Sequence, residues 1–571
     1  MMSTHSRRDF LRYSVAGAAL FAMGGSSYSL SKTEKTNILL ILSDDLGFSD
    51  LGCYGGEAQT PNIDSLAENG LRYTQFYNTA KCCPSRASLL TGLYPHQADI
   101  GHMMLNDGID GYLGDLNPNT VTIAESLGRG GYATYMSGKW HVTRFVDGPK
   151  HNWPRQRGFD DFYGIIGGAA NYYQPRTLTR NNERIKPQGD NYFLTDVITD
   201  EAVRQLREHT AHKSDKPFFQ YLAYTAPHWP LHAHEEDIAK YKGRFDAGWD
   251  KLRTQRMRRM IDMGIIHERW SLSERDPRVK PWVDTEHKQW QARRMEVFAA
   301  QIDRMDQGIG RILSTLKETG QWENTLIVFL SDNGGCTEEL RDDYVGRRVR
   351  TGISILGTAK TRDGRDVRFG NEPSIMPGSE DTYVSYGVPW ANVSNTPFRL
   401  YKRWVHEGGI ATPLILHWPA GIQAAGELRH QPAQLPDIMS TFLDISGVEY
   451  PASYNGRDVK PAEGFSMRPT FTNQTHSRKV LFWEHEGNRA VRKGKWKLVS
   501  MFPGDWELYD MEVDRTELDD VSGDYPDVVQ ELRRLYDEWA IKRNVRPWDR
   551  VLKLRRLRIQ RAKQKNDVEK R

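Results

Sequence analysis

Ile38-Leu39-Leu40-Ile41-Leu42 is followed directly by Ser43-Asp44-Asp45-Leu46-Gly47. An uninterrupted apolar run of this length is typical of a strand that is buried on both faces, as in a parallel sheet covered by helices. The two carboxylates then stand at the carboxyl end of the strand. Because ligands of open α/β sheets bind beyond that end of the strands, this stretch predicts both the class of fold and the edge where a site forms.

Three further β-rich runs end in the same way, with polar residues of types that bind ligands or take part in catalysis. Residues 132–136 lead into Ser137-Gly138-Lys139-Trp140-His141, residues 218–224 into Thr225-Ala226-Pro227-His228, and residues 326–330 into Ser331-Asp332-Asn333-Gly334. Between the four runs lie candidate helices, at 61–70, 121–127, 196–209 and 289–319. This alternation predicts an α/β fold in which the four polar clusters converge on one site.

The length of the chain, 571 residues, is sufficient for one large or two medium domains with a sizeable core. We predict a catalytic α/β domain over 31–425, with a helical insertion at about 234–290, where charged residues and Trp replace strand patterns. A helix at 434–447, four short strand-like runs and an amphipathic helix at 526–541 follow. They predict a C-terminal subdomain over 426–548, with a small antiparallel sheet and a packed helix.

Charge is unevenly distributed along the chain, whose formal net charge is +4. Residues 1–30 carry +2 and residues 551–571 carry +7, so the body between them carries −5. The basic balance therefore comes from the two ends and is no evidence of a nucleic-acid-binding body. We expect the basic tail at 549–571 to be a frayed helix or disordered, with binding to an acidic surface or polyanion as the alternative.

The amino terminus has the pattern of an export signal. Ser6-Arg7-Arg8-Asp9-Phe10-Leu11-Arg12 precedes a weakly apolar run at 15–23 that is too short to span a bilayer as a folded helix. Twin Arg ahead of Phe-Leu resembles a twin-arginine signal; an ordinary basic terminus is the alternative. We predict that residues 1–30 direct a bacterial protein through the export machinery to the periplasm or the outside, with no stable membrane span.

Cys82-Cys83-Pro84-Ser85-Arg86, continued by Leu90-Thr91-Gly92, is the most specific motif of the chain. The chain has four cysteines, too few for a disulfide framework and without metal-ligand spacing. A Cys beside Pro and Arg is by itself most often part of a turn. The longer pattern, however, resembles the signature of the formylglycine-dependent (type I) sulfatases. The resemblance covers about residues 35–545, and Cys83 fills a variable position.

The resemblance implies an alkaline-phosphatase-like sandwich, with a large, mostly parallel central sheet and a smaller C-terminal antiparallel sheet. It implies that a formylglycine-generating maturation enzyme oxidises Cys82 to formylglycine (3-oxoalanine), whose hydrate attacks sulfur. If export follows the twin-arginine route, which carries folded protein, this conversion precedes export. Residues 392–400, with Lys402 and Glu407-Gly408-Gly409 after them, are most similar to the arylsulfatase branch. The expected reaction is hydrolysis of a sulfate ester.

Asp44, Asp45, Asp332 and Asn333 are the candidate metal ligands. Each pair alone is often a turn or a helix cap. Both pairs follow predicted buried strands, and hard divalent cations take such oxygen ligands. The resemblance places all four on metal-ligand positions, together with the modified Cys82. It favours Ca²⁺, although all-oxygen ligation does not exclude Mg²⁺.

Lys139 and His141 straddle Trp140, and the period of two at a strand end predicts that they point to one face. A Lys can bind a sulfate oxygen as a point charge, and a His beside it can act as a base. The resemblance implies that His141 takes a proton from the second hydroxyl of the hydrate, which expels sulfate and regenerates the aldehyde.

Three further residues receive roles from the resemblance. Arg86, four residues after Cys82, would hold the hydrate oxygen electrostatically. His228 would contact the ester oxygen and help to protonate the leaving group. Lys402, five residues before Glu407, would be a second sulfate-binding Lys.

The remaining candidates are four histidines outside these motifs: His232, His234, His406 and His417. We favour a structural role for His406, with a place in the pocket wall as the alternative, because it is close to Lys402 in sequence. The other three have no assigned function.

Three functions compete. The first is a sulfatase acting on a sulfated small molecule or carbohydrate. The second is a phosphonate or phosphate ester hydrolase on the same scaffold, and the third is a non-catalytic polyanion-binding protein. The choice of substrate is expected to depend on the long loops at 146–195, 234–290 and 340–390.

Overall fold

The apolar run quoted first forms β1 (Asn37–Ser43), a fully buried strand near the middle of a large sheet in a computed structural model of the chain. The structure describes residues 35–352, 354–476 and 478–569. The export signal predicted at 1–30 lies outside the described residues and stays a prediction.

Most strands belong to one large sheet and one small sheet. Two further pairs of very short strands lie outside them. In chain order the strands are β1, β2 (Leu71–Tyr77), β3 (Ala133–Lys139), β4 (Asp161–Ile165), β5 (Leu178–Arg180), β6 (Glu183–Arg184), β7 (Phe218–Ala223), β8 (Thr325–Ser331), β9 (Arg368–Phe369), β10 (Thr382–Tyr383), β11 (Ala411–His417), β12 (Glu427–Arg429), β13 (Ala433–Gln434), β14 (Ser453–Tyr454), β15 (Arg457–Asp458), β16 (Val480–His485), β17 (Asn488–Lys493), β18 (Trp496–Ser500) and β19 (Glu507–Asp510).

The large sheet has the order β12-β2-β11-β8-β1-β7-β3-β4-β5-β6, and β13 also pairs with β2. The four strands predicted from the polar clusters are neighbours in the order β8-β1-β7-β3, and all of their pairings are parallel. β11 runs antiparallel to both β8 and β2, so the sheet is mixed but mostly parallel. The carboxyl ends of the four central strands therefore meet at one edge, as the sequence predicts.

The described residues form thirteen α-helices, most of which cover the two faces of this sheet. They are α1 (Pro61–Glu68), α2 (Cys82–Thr91), α3 (Ile123–Arg129), α4 (Leu194–His212), α5 (Glu235–Ala239), α6 (Gly248–Asp262), α7 (Lys288–Glu318), α8 (Arg347–Arg350), α9 (Gly387–Ser394), α10 (Glu407–Ile410), α11 (Leu435–Ser446), α12 (Pro526–Lys542) and α13 (Trp548–Glu569). Among the described residues, none of these helices combines the length and the apolarity needed to cross a membrane.

Alternation along β1 divides the core into two layers. Leu39 and Ile41 pack in the layer that holds α1, α4 and α7. Leu40, like its neighbours at 38 and 42, packs in the layer that holds α2, α3 and α11. Because side chains of a strand alternate between faces, a continuous apolar run requires helices on both sides. The predicted α/β sandwich is confirmed.

The small antiparallel sheet has the order β16-β17-β18-β19 and lies in the C-terminal part of the chain. On one face, Val491 and Leu498 pack against Leu532 and Trp539 of α12. Its other face joins the core of the large sheet through residues such as Trp483. The chain from Thr36 onward groups as one compact unit, and the division into domains at residue 425 stays a prediction.

Segment 234–290 contains α5 and α6 and, in its described residues, no strand. Arg256 of α6 is buried and binds Asp50 at 2.8 Å and Glu57 at 2.6 Å. These ion pairs hold the segment against the loop after β1.

Candidate active site

Cys82 lies at the start of α2, on the wall of a cavity of about 630 Å³. Its side chain is 3% exposed, and His141, His228 and Lys402 line the same cavity. The positive end of a helix macrodipole favours negative charge at its first residue. A group at position 82 is therefore both sheltered and electrostatically favoured as an anion.

An acidic cluster lies beside Cys82, where β1 and β8 end. The Nδ2 atom of Asn333 donates to Oδ1 of Asp45 at 2.6 Å, and the backbone N–H of Asp45 donates to Oδ1 of Asp332 at 3.2 Å. Oδ1 of Asp44 and Oδ1 of Asn333 are buried without a hydrogen-bond partner among the described residues. Buried oxygens of this kind are normally paired, so the cluster fits an added cation.

Three buried cations balance the three carboxylates. Nζ of Lys139 lies 2.6 Å from Oδ2 of Asp44, and Nζ of Lys402 lies 2.7 Å from Oδ1 of Asp45. Nη2 of Arg86 lies 2.8 Å from Oδ2 of Asp332. Buried charges persist only when they are paired in this way.

The pKa values of the three carboxylates are shifted in different directions. Burial, together with the nearby charge of Asp44, raises the pKa of Asp332 to about 8. Burial likewise raises the pKa of Asp44. Burial alone would raise the pKa of Asp45, but Lys402 and His228 lower it below its ordinary value. The raised pKa values mean that the anionic forms of Asp44 and Asp332 are disfavoured, and a bound divalent cation would favour them.

Both histidines of the cavity are neutral near pH 7, because burial lowers the pKa of His141 and of His228 to about 4. Nδ1 of His228 lies 2.7 Å from the carbonyl oxygen of Trp229, which assigns the proton to Nδ1. Nε2 then faces the site, 3.5 Å from Nζ of Lys402. A hydrogen bond from Cys83, helped by Lys139 and His141, lowers the pKa of the Cys82 thiol well below its ordinary value.

Unusual backbone conformations place two of these side chains. Asp45 has φ of 66° and His141 has φ of 57°, in the left-handed region that most residues avoid. β3 ends at Lys139, so the extended geometry expected to point Lys139 and His141 to one face is not formed. His141 reaches the cavity because of its left-handed turn, and a Cβ on Gly168 would lie 2.1 Å from its Nε2.

The ten predicted site residues form one continuous cluster, and none is more than 5% exposed. They are Asp44, Asp45, Cys82, Arg86, Lys139, His141, His228, Asp332, Asn333 and Lys402. Because these residues lie together, a family resemblance that includes all of them bears on the function of the chain.

A family model described as Sulfatase matches residues 36–448. The chain belongs to the sulfatase family. A second model, described as N-sulphoglucosamine sulphohydrolase, C-terminal, matches residues 398–541. The chain is therefore a sulfuric ester hydrolase of arylsulfatase-like type, and hydrolysis of a sulfate ester is its reaction.

Individual relatives agree with this assignment. The chain is 32% identical over 539 residues to an uncharacterized sulfatase of Schizosaccharomyces pombe, covering 88% of this chain and 93% of the relative. It is 32% identical over 484 residues to an arylsulfatase of Klebsiella aerogenes, covering 82% of this chain and 98% of the relative. The crystal structure of Ps i-CgsB in complex with k-i-k-neocarrahexaose has a TM-score of 0.62 at 26% identity, covering 89% of this chain and 93% of that one.

In this sulfatase, Arg86 binds groups on two sides, and its expected role toward the hydrate of residue 82 stays a prediction. Its guanidinium binds Asp332, and its Nη1 donates to the carbonyl oxygen of Lys139 at 3.0 Å. Arg86 is fully buried and does not line the cavity, although its charge acts on Cys82. In this structure, Arg86 therefore holds the candidate metal ligand Asp332 and the end of β3.

The four remaining histidines lie outside the cavity over Cys82. Nε2 of His406 lies 3.4 Å from Oε2 of Glu507, which agrees with a structural role and not with a place in the cavity wall. His232 bonds the carbonyl oxygen of Thr382 at 2.7 Å.

The wall of the cavity includes three residues that sequence reasoning missed. The carboxylate of Glu338 accepts from Nζ of Lys81 at 2.7 Å and from Nε1 of Trp229 at 2.9 Å. Lys81 is next to Cys82 in the sequence, and Trp229 is next to His228. This proximity to predicted site residues could have indicated that both lie in the cavity wall. Glu338 carries no such signal, because its loop reaches the cavity only through tertiary packing.

The cavity wall also settles which of the long loops reach the site. Segment 340–390 contributes Tyr344 and Arg348, and segment 146–195 contributes Gly168. The described residues of segment 234–290 contribute none, since α6 is held against the loop after β1.

Proposed function

We propose that this sulfatase acts through formylglycine made from Cys82, with one divalent cation, Ca²⁺ in preference to Mg²⁺, beside it. The observation that carries the proposal is the position of Cys82. It starts a helix on the wall of a cavity, its own side chain is buried, and charges of both signs surround it. A structural cysteine would be packed among apolar side chains, as Cys83 is packed against Met103.

Asp44, Asp45, Asp332 and Asn333, with residue 82, would hold the cation. Their donor set is all oxygen once Cys82 is converted, and two of its oxygens lack partners in the described structure. When bound, the cation supplies charge stabilisation for the sulfate group and favours ionisation of the residue 82 hydrate. An oxygen-only set with several carboxylates suits the larger and less demanding Ca²⁺.

The chain's own side chains would complete the chemistry. Lys139 pairs with Asp44 and Lys402 pairs with Asp45, and their ammonium groups can hold sulfate oxygens. Nε2 of His228 is placed to give a proton to the leaving ester oxygen, once the substrate's negative charge favours protonation. The His141 imidazole is neutral and can take the proton whose loss lets sulfate depart from residue 82.

A sulfated small molecule or carbohydrate is the proposed substrate. The cavity over Cys82 combines apolar wall residues such as Met104 and Trp229 with the polar groups of Glu338 and Arg348. Sugar rings need both kinds of surface, and the similar Ps i-CgsB is bound to k-i-k-neocarrahexaose. The exported location, and the conversion of Cys82 before export, rest on the sequence pattern at 6–12. Amino-terminal sequencing of the protein from the periplasmic fraction would test them.

The test is mass spectrometry of the tryptic peptide 82–86. Conversion exchanges the sulfur of Cys82 for oxygen with loss of two hydrogens, so the peptide should be lighter than coded and carry an aldehyde. Cys82→Ala should lose at least about 10³-fold in kcat/KM for an aryl sulfate, as removal of a covalent nucleophile does.

Cys83→Ala is the matched control, because Cys83 is adjacent and equally buried. It should keep both the modification and most of the activity. A fully active protein with an unmodified Cys82 thiol would overturn the mechanism. Faster turnover of an aryl phosphonate than of an aryl sulfate would instead favour a phosphonate ester hydrolase.

A further inference from the structure

A second large concavity lies apart from the catalytic cavity. This groove, of about 1090 Å³, is lined by segment 264–270, by the turn at 492–495 and by Thr475, His476, Arg478, Lys479 and Leu481. It shares no lining residue with the cavity over Cys82. Its volume matches the upper range of ligand-binding clefts, so it can take an oligosaccharide.

The lining of the groove is strongly basic. Two acidic side chains line it, Glu268 and Glu512, against six basic ones: Arg269, Arg478, Lys479, Arg492, Lys493 and Lys495. The body of the chain from residue 31 to residue 550 is acidic, with a net charge of −5. The groove is therefore a local reversal of charge, which concentrates anions there.

Several of these cations are available to a ligand. Among the described residues, no carboxylate pairs with Arg269 or Lys479, and both side chains line the groove. Arg269 bonds only the neighbouring His267 ring. Lys493 and Lys495 pair with carboxylates, but their side chains are 49% and 43% exposed. Exposed pairs of this kind contribute little, so an anionic ligand can replace the carboxylates.

Neutral and aromatic groups accompany the charges. Trp270 is half-buried in the wall, and its Nε1 donates to the carbonyl oxygen of Glu512 at 3.1 Å, which fixes the indole. A fixed indole presents an apolar face to the C–H groups of a sugar ring. Oε1 of Gln431 is buried without a partner among the described residues, and Thr475 adds a hydroxyl. A flat anionic surface such as a membrane cannot enter a groove.

We propose that this groove is a second, non-catalytic binding site for a sulfated oligosaccharide chain. It would hold a polymeric substrate on the enzyme while the cavity over Cys82 cleaves the ester. The choice of a sulfated sugar rests on the proposed substrate class, whereas the anionic character of the ligand rests on the groove itself.

Binding and turnover are measured separately. The Cys82→Ala protein is titrated calorimetrically with dextran sulfate oligosaccharides and with unsulfated dextran of the same length. Adding Arg269→Ala and Lys479→Ala should weaken binding of the sulfated ligand about tenfold or more, since two charge-assisted contacts are lost. Lys213→Ala with Lys216→Ala is the control, because it removes the same charge from an exposed loop.

In the protein that retains Cys82, Arg269→Ala with Lys479→Ala should leave kcat/KM for a small aryl sulfate unchanged and raise KM for the polymeric ester. Equal affinity of the groove variant and the control variant would overturn the proposal, as would equal binding of unsulfated dextran. If the sulfated ligand loses affinity only for the double variant Arg556→Ala with Arg561→Ala, the binding site lies on α13. That result would also overturn the proposal. If no sulfate ester is cleaved but groove binding persists, the proposed mechanism fails and the groove stands.

Discussion

Asn333 differs from the other candidate metal ligands because its side chain carries no charge. Its Nδ2 is used by Asp45 and by the carbonyl oxygen of Gly334, which leaves Oδ1 directed away from any hydrogen-bond donor among the described residues. Two donor bonds on one amide nitrogen fix the orientation of the group. The geometry therefore presents Oδ1 as a ready ligand.

Replacing Asn333 by Leu should weaken Ca²⁺ binding by more than about tenfold, because one oxygen ligand and the restraint on Asp45 are lost together. Calorimetric titration of metal-free protein with Ca²⁺ and with Mg²⁺ measures the effect. Asn37→Leu, at a buried amide at the opposite end of β1, is the control for general damage. Unchanged Ca²⁺ affinity in Asn333→Leu would exclude this residue from the metal site.

At the scale of elements, the contact between β3 and β7 is unusually close at Gly138, the residue before Lys139. Gly138 has φ of 119°, and a Cβ built on it would lie 1.8 Å from the carbonyl oxygen of Ala223. No side chain fits there without separating the two strands. The position of Lys139 thus depends on the absence of a side chain at the preceding residue.

Gly138→Ala should destabilise the protein by several kcal/mol, because steric overlap adds to the roughly 1–2 kcal/mol cost of positive φ. Gly131→Ala is the matched control: Gly131 has φ of 88°, but nothing lies within 4 Å of its Cβ position. Only the cost of positive φ should appear there. Chemical denaturation of both variants measures the difference, and equal losses would show that β3 and β7 are not tightly packed.

For the whole molecule, a fully buried ionic cluster joins the catalytic part to the small sheet. The carboxylate of Glu407 accepts from Nζ of Lys497 at 2.8 Å and from Nε of Arg515 at 2.8 Å. Glu517 binds the same lysine at 2.7 Å and accepts from the backbone N–H of Glu407. Since Lys402 lies in the segment that leads to Glu407, the small sheet helps to place an active-site cation.

Glu407→Gln should cost about 3–5 kcal/mol, because it leaves buried cations without their partner. Burial alone would raise the pKa of Glu407, but Lys497 and Arg515 lower it below its ordinary value of 4.5. The carboxylate therefore contributes stability above pH 4.5, and this contribution is lost as the pH falls toward the lowered pKa.

The difference in unfolding free energy between the native protein and Glu407→Gln should accordingly shrink as the pH falls below 4.5. Denaturation curves at several pH values measure it. Glu531→Gln, which removes the exposed partner of Lys493, should leave the denaturation midpoint unchanged. A difference that is independent of pH would contradict the proposed ionised state of Glu407.

The sequence by itself determined the α/β class, the four central strands and the ten residues that meet at their carboxyl ends. It did so because apolar runs and strand-end positions are local patterns, and because the resemblance of the Cys82 motif to a known family added Cys82, Arg86 and Lys402. Only the tertiary structure decided that Arg86 holds Asp332, that Glu338 forms the cavity wall, and that segment 234–290 lies away from the cavity. It also produced the basic groove and the Glu407 cluster. These features join residues far apart in the chain, and their proximity depends on how remote loops pack, which no local pattern encodes.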